Sequence, residues 1–141
     1  MSARGLVHHI DLSVSDLSRA RPFYEKVLGY MGYHPGEDYG ARGIDFDCID
    51  GGVFRSIGIR ISEGANAARA HDRYAPGLHH LAWTAESRDD VDKLHTLLLE
   101  INANVLDPPA DYPQYGAGYY AVFFADPDGL KLEYVFKPIA P

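Results

Sequence analysis

Two stretches of the sequence resemble each other and decide the fold: VHHIDLSVSDL at residues 7–17 and LHHLAWTAE at residues 78–86. Both begin with a pair of histidines close to their start and then alternate apolar and polar residues. Each leads through a polar turn into a segment with helical periodicity. Alternation with a period of two is typical of a strand that buries one face. The repetition therefore predicts two tandem copies of one supersecondary module.

Each copy continues into an amphipathic helix. In the first copy the helical spacing is carried by Ala20, Phe23, Tyr24, Val27 and Leu28. We expect Pro22 near the first turn of this helix and Gly29 at its end. In the second copy Ser87 and Asp90 indicate a capping box. The apolar stripe that follows consists of Val91, Leu94, Leu98 and Ile101.

Three strand-like runs follow each helix. They are residues 30–34, 43–48 and 56–62 in the first copy and residues 104–107, 119–125 and 130–136 in the second. Residues 108–118, rich in Pro, Gly and Tyr, are predicted to form a loop beside the site. The predicted fold is α+β, with two tandem βαβββ modules that form a curled mixed sheet around a metal cleft.

The predicted modules make up a single domain over residues 1–141. Module one covers about residues 6–62, a linker covers 63–77, and module two covers about 78–137. A chain of this length can bury one sizeable core.

The composition limits the kinds of partner that the protein can have. Apolar residues make up 46% and charged residues 23%, and the net charge is −7 without a cluster of basic residues. Nucleic-acid binding would need a basic stripe, and a membrane helix would need roughly 18–20 consecutive apolar residues. We therefore expect neither partner. A single cysteine and no signal-like N-terminus lead us to expect a cytoplasmic protein.

Strand alternation places three polar side chains on one face: His9, His80 and Glu133. Two neutral imidazoles and one carboxylate are good ligands for a divalent first-row metal such as Fe, Mn, Zn, Ni or Co. The alternative is that each residue simply faces solvent on a half-exposed strand. The recurrence of the histidine at matching positions in both copies favours the metal site.

The internal repeat also predicts where a fourth ligand is missing. If Leu132 is aligned with Ile57, Gly58 corresponds to Glu133 and supplies no side chain. Arg60 shares the face of Gly58, and we predict that it binds an anionic group of a substrate.

The seventh predicted strand begins with Tyr119 and Tyr120, and alternation turns one of them towards the site. We predict Glu133 and Tyr120 as catalytic residues, because a phenol can donate to an oxyanion. His8 and His79 are interpreted as structural histidines that point away from the ligands. A register error of one residue would make them the ligands instead.

The chain resembles the vicinal oxygen chelate superfamily, which includes glyoxalase I, bleomycin resistance proteins and extradiol dioxygenases. The resemblance covers about residues 6–137. Four motifs carry it: HIDLSVSDL (9–17), FYEKVLGY (23–30), GLHHLAW (77–83) and FADPDGLKLEYV (124–135). These motifs are specific for the superfamily and much less so for one reaction, because its members share a fold and differ in chemistry.

The resemblance implies metal ligands on the first, fifth and last strands, at His9, His80 and Glu133. The fourth ligand of the family pattern would fall at Gly58, and its absence counts against glyoxalase I itself. The resemblance implies a metal-dependent lyase, isomerase or ring-cleaving dioxygenase that chelates a small substrate through vicinal oxygens. The alternative is a metal-free protein that sequesters a drug-like ligand. The resemblance also implies a homodimer.

Overall fold

The computed structural model describes residues 3–139, which divide into two compact units with a boundary between Arg69 and Ala70. Unit 1 precedes the boundary and unit 2 follows it. Each unit contains one long helix and its own four-stranded mixed sheet. The α+β class and the two βαβββ modules are therefore confirmed. None of the helices within residues 3–139 is both long and apolar enough to cross a membrane.

Unit 1 contains β1, α1, β2, β3 and β4 in chain order. Their bounds are His9–Val14, Leu17–Tyr30, His34–Asp38, Gly43–Asp50 and Val53–Ile61. The sheet order is β1-β4-β3-β2, with β1 parallel to β4 and the other neighbours antiparallel. One face of the sheet is apolar and buried, through Leu12, Val14, Ile44, Phe46, Ile57 and Ile59.

Unit 2 repeats this arrangement with β5, α2, β6, β7 and β8. Their bounds are Leu81–Thr84, Arg88–Glu100, Asn104–Asp111, Tyr120–Ala125 and Lys131–Phe136. The sheet order is β5-β8-β7-β6, with β5 parallel to β8. The central strands β7 and β8 carry the largest share of the buried residues.

Helix α1 ends later than the sequence predicts. Asp16 caps it, because its carboxylate accepts a hydrogen bond of 2.9 Å from the Ser18 backbone N–H. All five predicted apolar positions are buried. The predicted end at Gly29 is wrong. The helix runs to Tyr30, and Gly32, with a φ of 98°, supplies the left-handed conformation that turns the chain. Pro22 lies further inside the helix than the first turn.

The capping box of α2 is confirmed. The Ser87 hydroxyl accepts from the Asp90 backbone N–H at 3.0 Å, and the Asp90 carboxylate accepts from the Glu86 backbone N–H at 2.8 Å. Val91, Leu94 and Leu98 are fully buried below it.

Two strand predictions are wrong at the sheet edges. Residues 30–34 were expected to form the second strand, but β2 begins only at His34 because the helix is longer. Residues 108–118 were expected to form a loop, but β6 continues through Pro108 and Pro109 to Asp111. An edge strand tolerates proline because one side of it has no ladder to join.

The register of the two sheets confirms the alignment of the copies. Strand β4 pairs Gly58 with Asp11, and strand β8 pairs Glu133 with Ala82. Asp11 and Ala82 each lie two residues after the second histidine of their pair. Gly58 therefore holds the position in unit 1 that Glu133 holds in unit 2.

Candidate functional site

Glu133 is a buried carboxylate at the centre of the unit 2 sheet, with only 2% of its surface exposed. The Tyr119 hydroxyl donates a hydrogen bond to its Oε2. The Nε2 of His80 lies 3.3 Å from its Oε1. Because a buried charge is costly unless it is compensated, this residue does not behave as the solvent-facing polar residue of the alternative interpretation.

Tyr119 belongs to an aromatic cluster with Tyr112, Tyr115 and Phe123. The rings of Tyr112 and Tyr115 are stacked at 5.7 Å, and Tyr112 meets Phe123 edge to face. Burial raises the pKa of the Tyr119 hydroxyl, and its hydrogen bond to Glu133 raises it further. The phenol therefore remains a proton donor to the carboxylate throughout the physiological range.

Tyr119, rather than Tyr120, is the tyrosine that contacts Glu133. The Tyr120 hydroxyl donates to Asp92 of α2 at 2.5 Å, and its ring lies under the Arg88 guanidinium. The β7–β8 register explains this choice, because it pairs Phe123 with Glu133. Tyr119 is an even number of residues from Phe123, so alternation turns it to the same face, whereas Tyr120 is turned to the opposite face. A catalytic role for Tyr120 stays a prediction.

The two histidine pairs make the same contact in both units. The Nδ1 atoms of His79 and His80 lie 2.8 Å apart, and those of His8 and His9 lie 3.0 Å apart. All four rings are exposed. Desolvation, followed by the charges of nearby basic residues, lowers the pKa of His79. The first histidine of each pair is thus in contact with the predicted ligand, where the sequence predicted that it points away.

In unit 1 an ion-pair group fills the space above Gly58. A Cβ at Gly58 would overlap the Asp11 carboxylate and crowd Asp45 and Arg60. The Arg60 Nη2 lies 2.6 Å from Asp45 and 3.6 Å from Asp11. Its Nη1 donates to the Ile59 carbonyl at 3.0 Å. The position of the missing fourth carboxylate is therefore occupied by Arg60 and its two acidic neighbours.

A pocket of about 560 Å³ lies in unit 1 beside this ion-pair group. It is lined by Ser13, Tyr39, Arg42, Arg60, Ile61 and Glu63. The Tyr39 ring packs against the Arg60 guanidinium at 4.6 Å. The predicted substrate contact of Arg60 stays a prediction, since both terminal nitrogens of this side chain already have partners in unit 1.

The structure brings two of the three predicted metal ligands together, His80 and Glu133 in unit 2. His9 lies in unit 1. Within residues 3–139, no group of three or more His, Cys, Asp or Glu side chains is clustered as a metal site. In a tetrahedral site, metal–ligand bonds of about 2.0–2.2 Å place neighbouring ligand atoms about 3.3–3.6 Å apart. The observed 3.3 Å between His80 and Glu133 fits such a pair.

Comparison with known proteins identifies the family. The family model of the Glyoxalase/Bleomycin resistance protein/Dioxygenase superfamily matches residues 6–134. The chain belongs to this superfamily. Among its relatives is the uncharacterized protein YqjT of Bacillus subtilis (strain 168), which is 34% identical over 129 residues, covering 92% of this chain and 97% of YqjT.

Solved structures of the superfamily share the fold. A candidate glyoxalase from Bacillus halodurans is 29% identical with a TM-score of 0.78, covering 95% of this chain and 97% of that one. Lactoylglutathione lyase from Agrobacterium tumefaciens is 20% identical with a TM-score of 0.68, covering 96% of both chains. The second likeness concerns the fold alone. Superfamily membership does not specify the reaction, because the reaction depends on the residues of the site.

Proposed function

We propose that this protein is a metal-dependent enzyme that acts on a small substrate chelated through two vicinal oxygens. The observation that carries the proposal is the buried Glu133 carboxylate in contact with His80. One phenol hydrogen bond and a nearby imidazole compensate a buried negative charge only partly, and a cation at the same place would complete the compensation. The chain belongs to a superfamily whose description includes glyoxalases and dioxygenases.

His9, His80 and Glu133 would hold the metal, a divalent ion such as Fe, Mn, Zn, Ni or Co. A metal bound by three protein ligands keeps open positions, and it supplies Lewis-acid polarisation of substrate oxygens. Two imidazoles with one carboxylate form a donor set that suits such ions. Lyase, isomerase and ring-cleaving dioxygenase chemistry are all compatible with this donor set.

Glu133 and Tyr119 are the groups of unit 2 that could handle a proton. The carboxylate is shielded from water, and the phenol donates to one of its oxygens. A fixed donor on Oε2 orients the other oxygen, Oε1, towards His80. In this arrangement Tyr119 takes the role that the sequence assigned to Tyr120, as the phenol that stabilises negative charge at the site.

The aromatic cluster gives the site a preference for apolar or flat substituents. Tyr115 is 56% exposed while its neighbours Tyr112 and Tyr119 are more buried, so one aromatic face remains open to solvent. Such a face, close to convergent polar groups, is typical of small-molecule sites.

A metal-free ligand-binding protein is the second candidate. The unit 1 pocket favours it, because its polar lining, with Tyr39 and two arginines, could hold a small molecule without a metal. In that case the buried Glu133 would serve stability alone.

Acetohydroxamate binding to the cobalt-loaded protein tests the proposal. This probe presents two adjacent oxygens, whereas acetamide presents one and serves as the control. We expect acetohydroxamate to change the visible spectrum of protein-bound Co²⁺ and acetamide to leave it unchanged. Gel filtration and elemental analysis after the titration would check that the protein keeps its cobalt.

Metal-free protein provides the decisive comparison. If acetohydroxamate binds it as tightly as the cobalt-loaded protein, or if the protein takes up none of the candidate metals, the metal-dependent proposal is wrong. The ligand-binding alternative would then be preferred.

A further inference from the structure

Lys131 is a half-buried lysine of unit 2 that has no carboxylate partner. It is the first residue of β8, and part of its surface is shielded from water. Its ammonium lies over the Phe123 ring, 4.6 Å from the ring centroid. None of the ion pairs found within residues 3–139 includes Lys131. An ammonium that has lost part of its water without gaining an anion retains an attraction for one.

The Lys131 side chain lies on the same face of the unit 2 sheet as the candidate site. Lys131 and Glu133 are two residues apart in β8, so alternation turns both side chains to one face. Their Cα atoms are separated by about 6.5 Å of strand. The pairing of Leu81 with Leu132 places the preceding residues, His80 and Lys131, side by side. Lys131 is therefore adjacent to both unit 2 residues that we propose as metal ligands.

The Phe123 ring holds the ammonium without using its hydrogen-bond donors. Phe123 pairs with Glu133 across β7 and β8, so the ring lies beside the buried carboxylate. The face of an aromatic ring attracts a cation electrostatically. A lysine ammonium carries three N–H donors. The contact with Phe123 can thus keep the ammonium near the site while its donors remain available to a ligand.

Arg60, the basic residue that the sequence predicts to bind an anionic group, already has acidic partners. Its Nη2 lies 2.6 Å from Asp45 and 3.6 Å from Asp11. A substrate anion would compete with these two carboxylates for the guanidinium. Lys131 has no such competitor within residues 3–139. Charge and geometry therefore favour Lys131 over Arg60 as the residue that meets an anion.

We propose that Lys131 is a specificity-determining residue that binds a carboxylate of the substrate while the two vicinal oxygens occupy the metal. This inference rests on the proposed function for the vicinal oxygens. The strand spacing between Lys131 and Glu133 sets the shape of the substrate, because the carboxylate must lie roughly 5–8 Å from the chelated oxygens. The substrate class is a small acid with its carboxylate a few bonds away from the chelating oxygens.

Titration of the metal-free protein with benzoate tests the carboxylate contact without any metal. Lysine labelled with ¹³C at Cε reports separately on Lys26, Lys93, Lys131 and Lys137. We expect benzoate to shift the Lys131 signal, with a dissociation constant on the order of 10 mM for so small a ligand. Benzamide is the neutral control. If benzoate leaves the Lys131 signal unchanged, or if benzamide shifts it as much, the proposal is overturned.

Two hydroxamates test the contact in the cobalt-loaded protein. Succinic monohydroxamate carries a carboxylate three bonds beyond its hydroxamate carbon, and its amide carries a neutral group at the same place. Both present the same two oxygens to the metal. The visible spectrum of protein-bound Co²⁺ gives the affinity for each probe, and the ratio of the two affinities measures the preference for the acid.

Variants of Lys131 show whether this side chain causes the preference. We expect the preference for the acid to fall roughly 3- to 5-fold in Lys131→Met, the size of one partly exposed ion pair. Lys131→Arg keeps the charge and should keep the preference. Lys93→Met is the matched control, because it removes an exposed lysine of α2 that is paired with Asp89. Melting curves check that each variant is folded.

The outcomes separate this inference from the proposed function. If cobalt and acetohydroxamate bind but the parent and Lys131→Met prefer the acid equally, the role of Lys131 is wrong and the metal site stands. If the protein binds neither cobalt nor acetohydroxamate, the proposed function fails and the two-point substrate fails with it. The benzoate titration then still decides whether Lys131 binds a carboxylate.

Discussion

A buried carboxylate such as Glu133 loses its hydration, and the protein must replace the lost hydrogen bonds. The Tyr119 hydroxyl supplies one of them, and the His80 Nε2 lies 3.3 Å from the other carboxylate oxygen. Neither side chain carries a fixed positive charge, so the site retains an attraction for a cation. At the scale of single residues, this imbalance connects the burial of one side chain with the proposed metal chemistry.

Removal of the Tyr119 hydroxyl should destabilise the protein, because Glu133 then loses a hydrogen bond. In the metal-free protein we expect Tyr119→Phe to lower the free energy of unfolding by about 1–3 kcal/mol, because hydrogen bonds to charged groups are stronger than neutral ones. Tyr120→Phe is the control, since its bond goes to an exposed aspartate. Urea denaturation of both variants measures the difference. A Tyr119→Phe protein as stable as Tyr120→Phe would contradict the account.

Arg60 and Asp45 provide a second prediction at this scale. They are 2.6 Å apart and mostly shielded from water, so a double-mutant cycle with Arg60→Leu and Asp45→Ala should give a coupling of about 1–2 kcal/mol. A coupling near zero would mean that the pair contributes nothing to stability. If Arg60 also binds substrate, Arg60→Leu should raise the KM for that substrate, and Asp45→Ala should raise it much less.

The sequence predicted which residues form the site better than it predicted which residues contact them. Alternation within a strand placed His80 and Glu133 on a common face. The choice between Tyr119 and Tyr120 required the pairing of β7 with β8, which involves residues distant in sequence. The group around Arg60 was likewise unpredictable, because Asp11 and Asp45 come from two strands that only the sheet brings next to Gly58.

At the scale of elements, the two helices have N-caps of different chemistry. Asp16 caps α1 with a carboxylate, and Ser87 caps α2 with a hydroxyl. Hydrogen bonds from Ser18 lower the pKa of Asp16 below its ordinary value of 3.8. The Asp16 carboxylate titrates and the Ser87 hydroxyl does not, so the contribution of Asp16 should depend on pH and that of the Ser87 hydroxyl should not.

The sign of this pH dependence follows from the lowered pKa. The charged cap contributes its full stability above the unfolded pKa of Asp16, and the contribution is lost as the pH falls through the lower folded-state pKa. We expect Asp16→Ala to destabilise the protein at pH 6 and progressively less below pH 3.8. Ser87→Ala should lower the free energy of unfolding by about 1 kcal/mol both at pH 6 and below pH 3.8.

Denaturation curves at a series of pH values measure both variants. An Asp16→Ala effect that stays constant down to the lowest pH at which the protein folds would contradict the capping argument.

The two helices and the start of α2 were predictable because they depend on local periodicity and on a few capping residues. The ends of the edge strands were not. Strand β6 continues through two prolines because it is the edge strand of the unit 2 sheet, and α1 continues through Gly29 because Gly32 provides the turn. Both outcomes depend on context beyond the local sequence pattern.

At the scale of the whole molecule, the two copies of the module differ at a register position that matters for the site. Unit 2 carries Glu133 there, and unit 1 carries Gly58 with an ion-pair group above it. The predicted metal centre draws its third ligand, His9, from the first copy.

The homodimer expected from the superfamily resemblance is a separate prediction at this scale. Size-exclusion chromatography with light scattering should give a mass of twice the 15.6 kDa chain. A monomer across the micromolar range would contradict it.

Metal stoichiometry tests the central claim most directly. The protein would be purified without an affinity tag, loaded with Zn²⁺ or Co²⁺, freed of excess metal and compared with His9→Ala and His80→Ala by elemental analysis. The account predicts one metal ion per chain in the parent protein and a loss of that ion in both variants. A His9→Ala protein that keeps one ion per chain, or a parent protein that binds none, would contradict it.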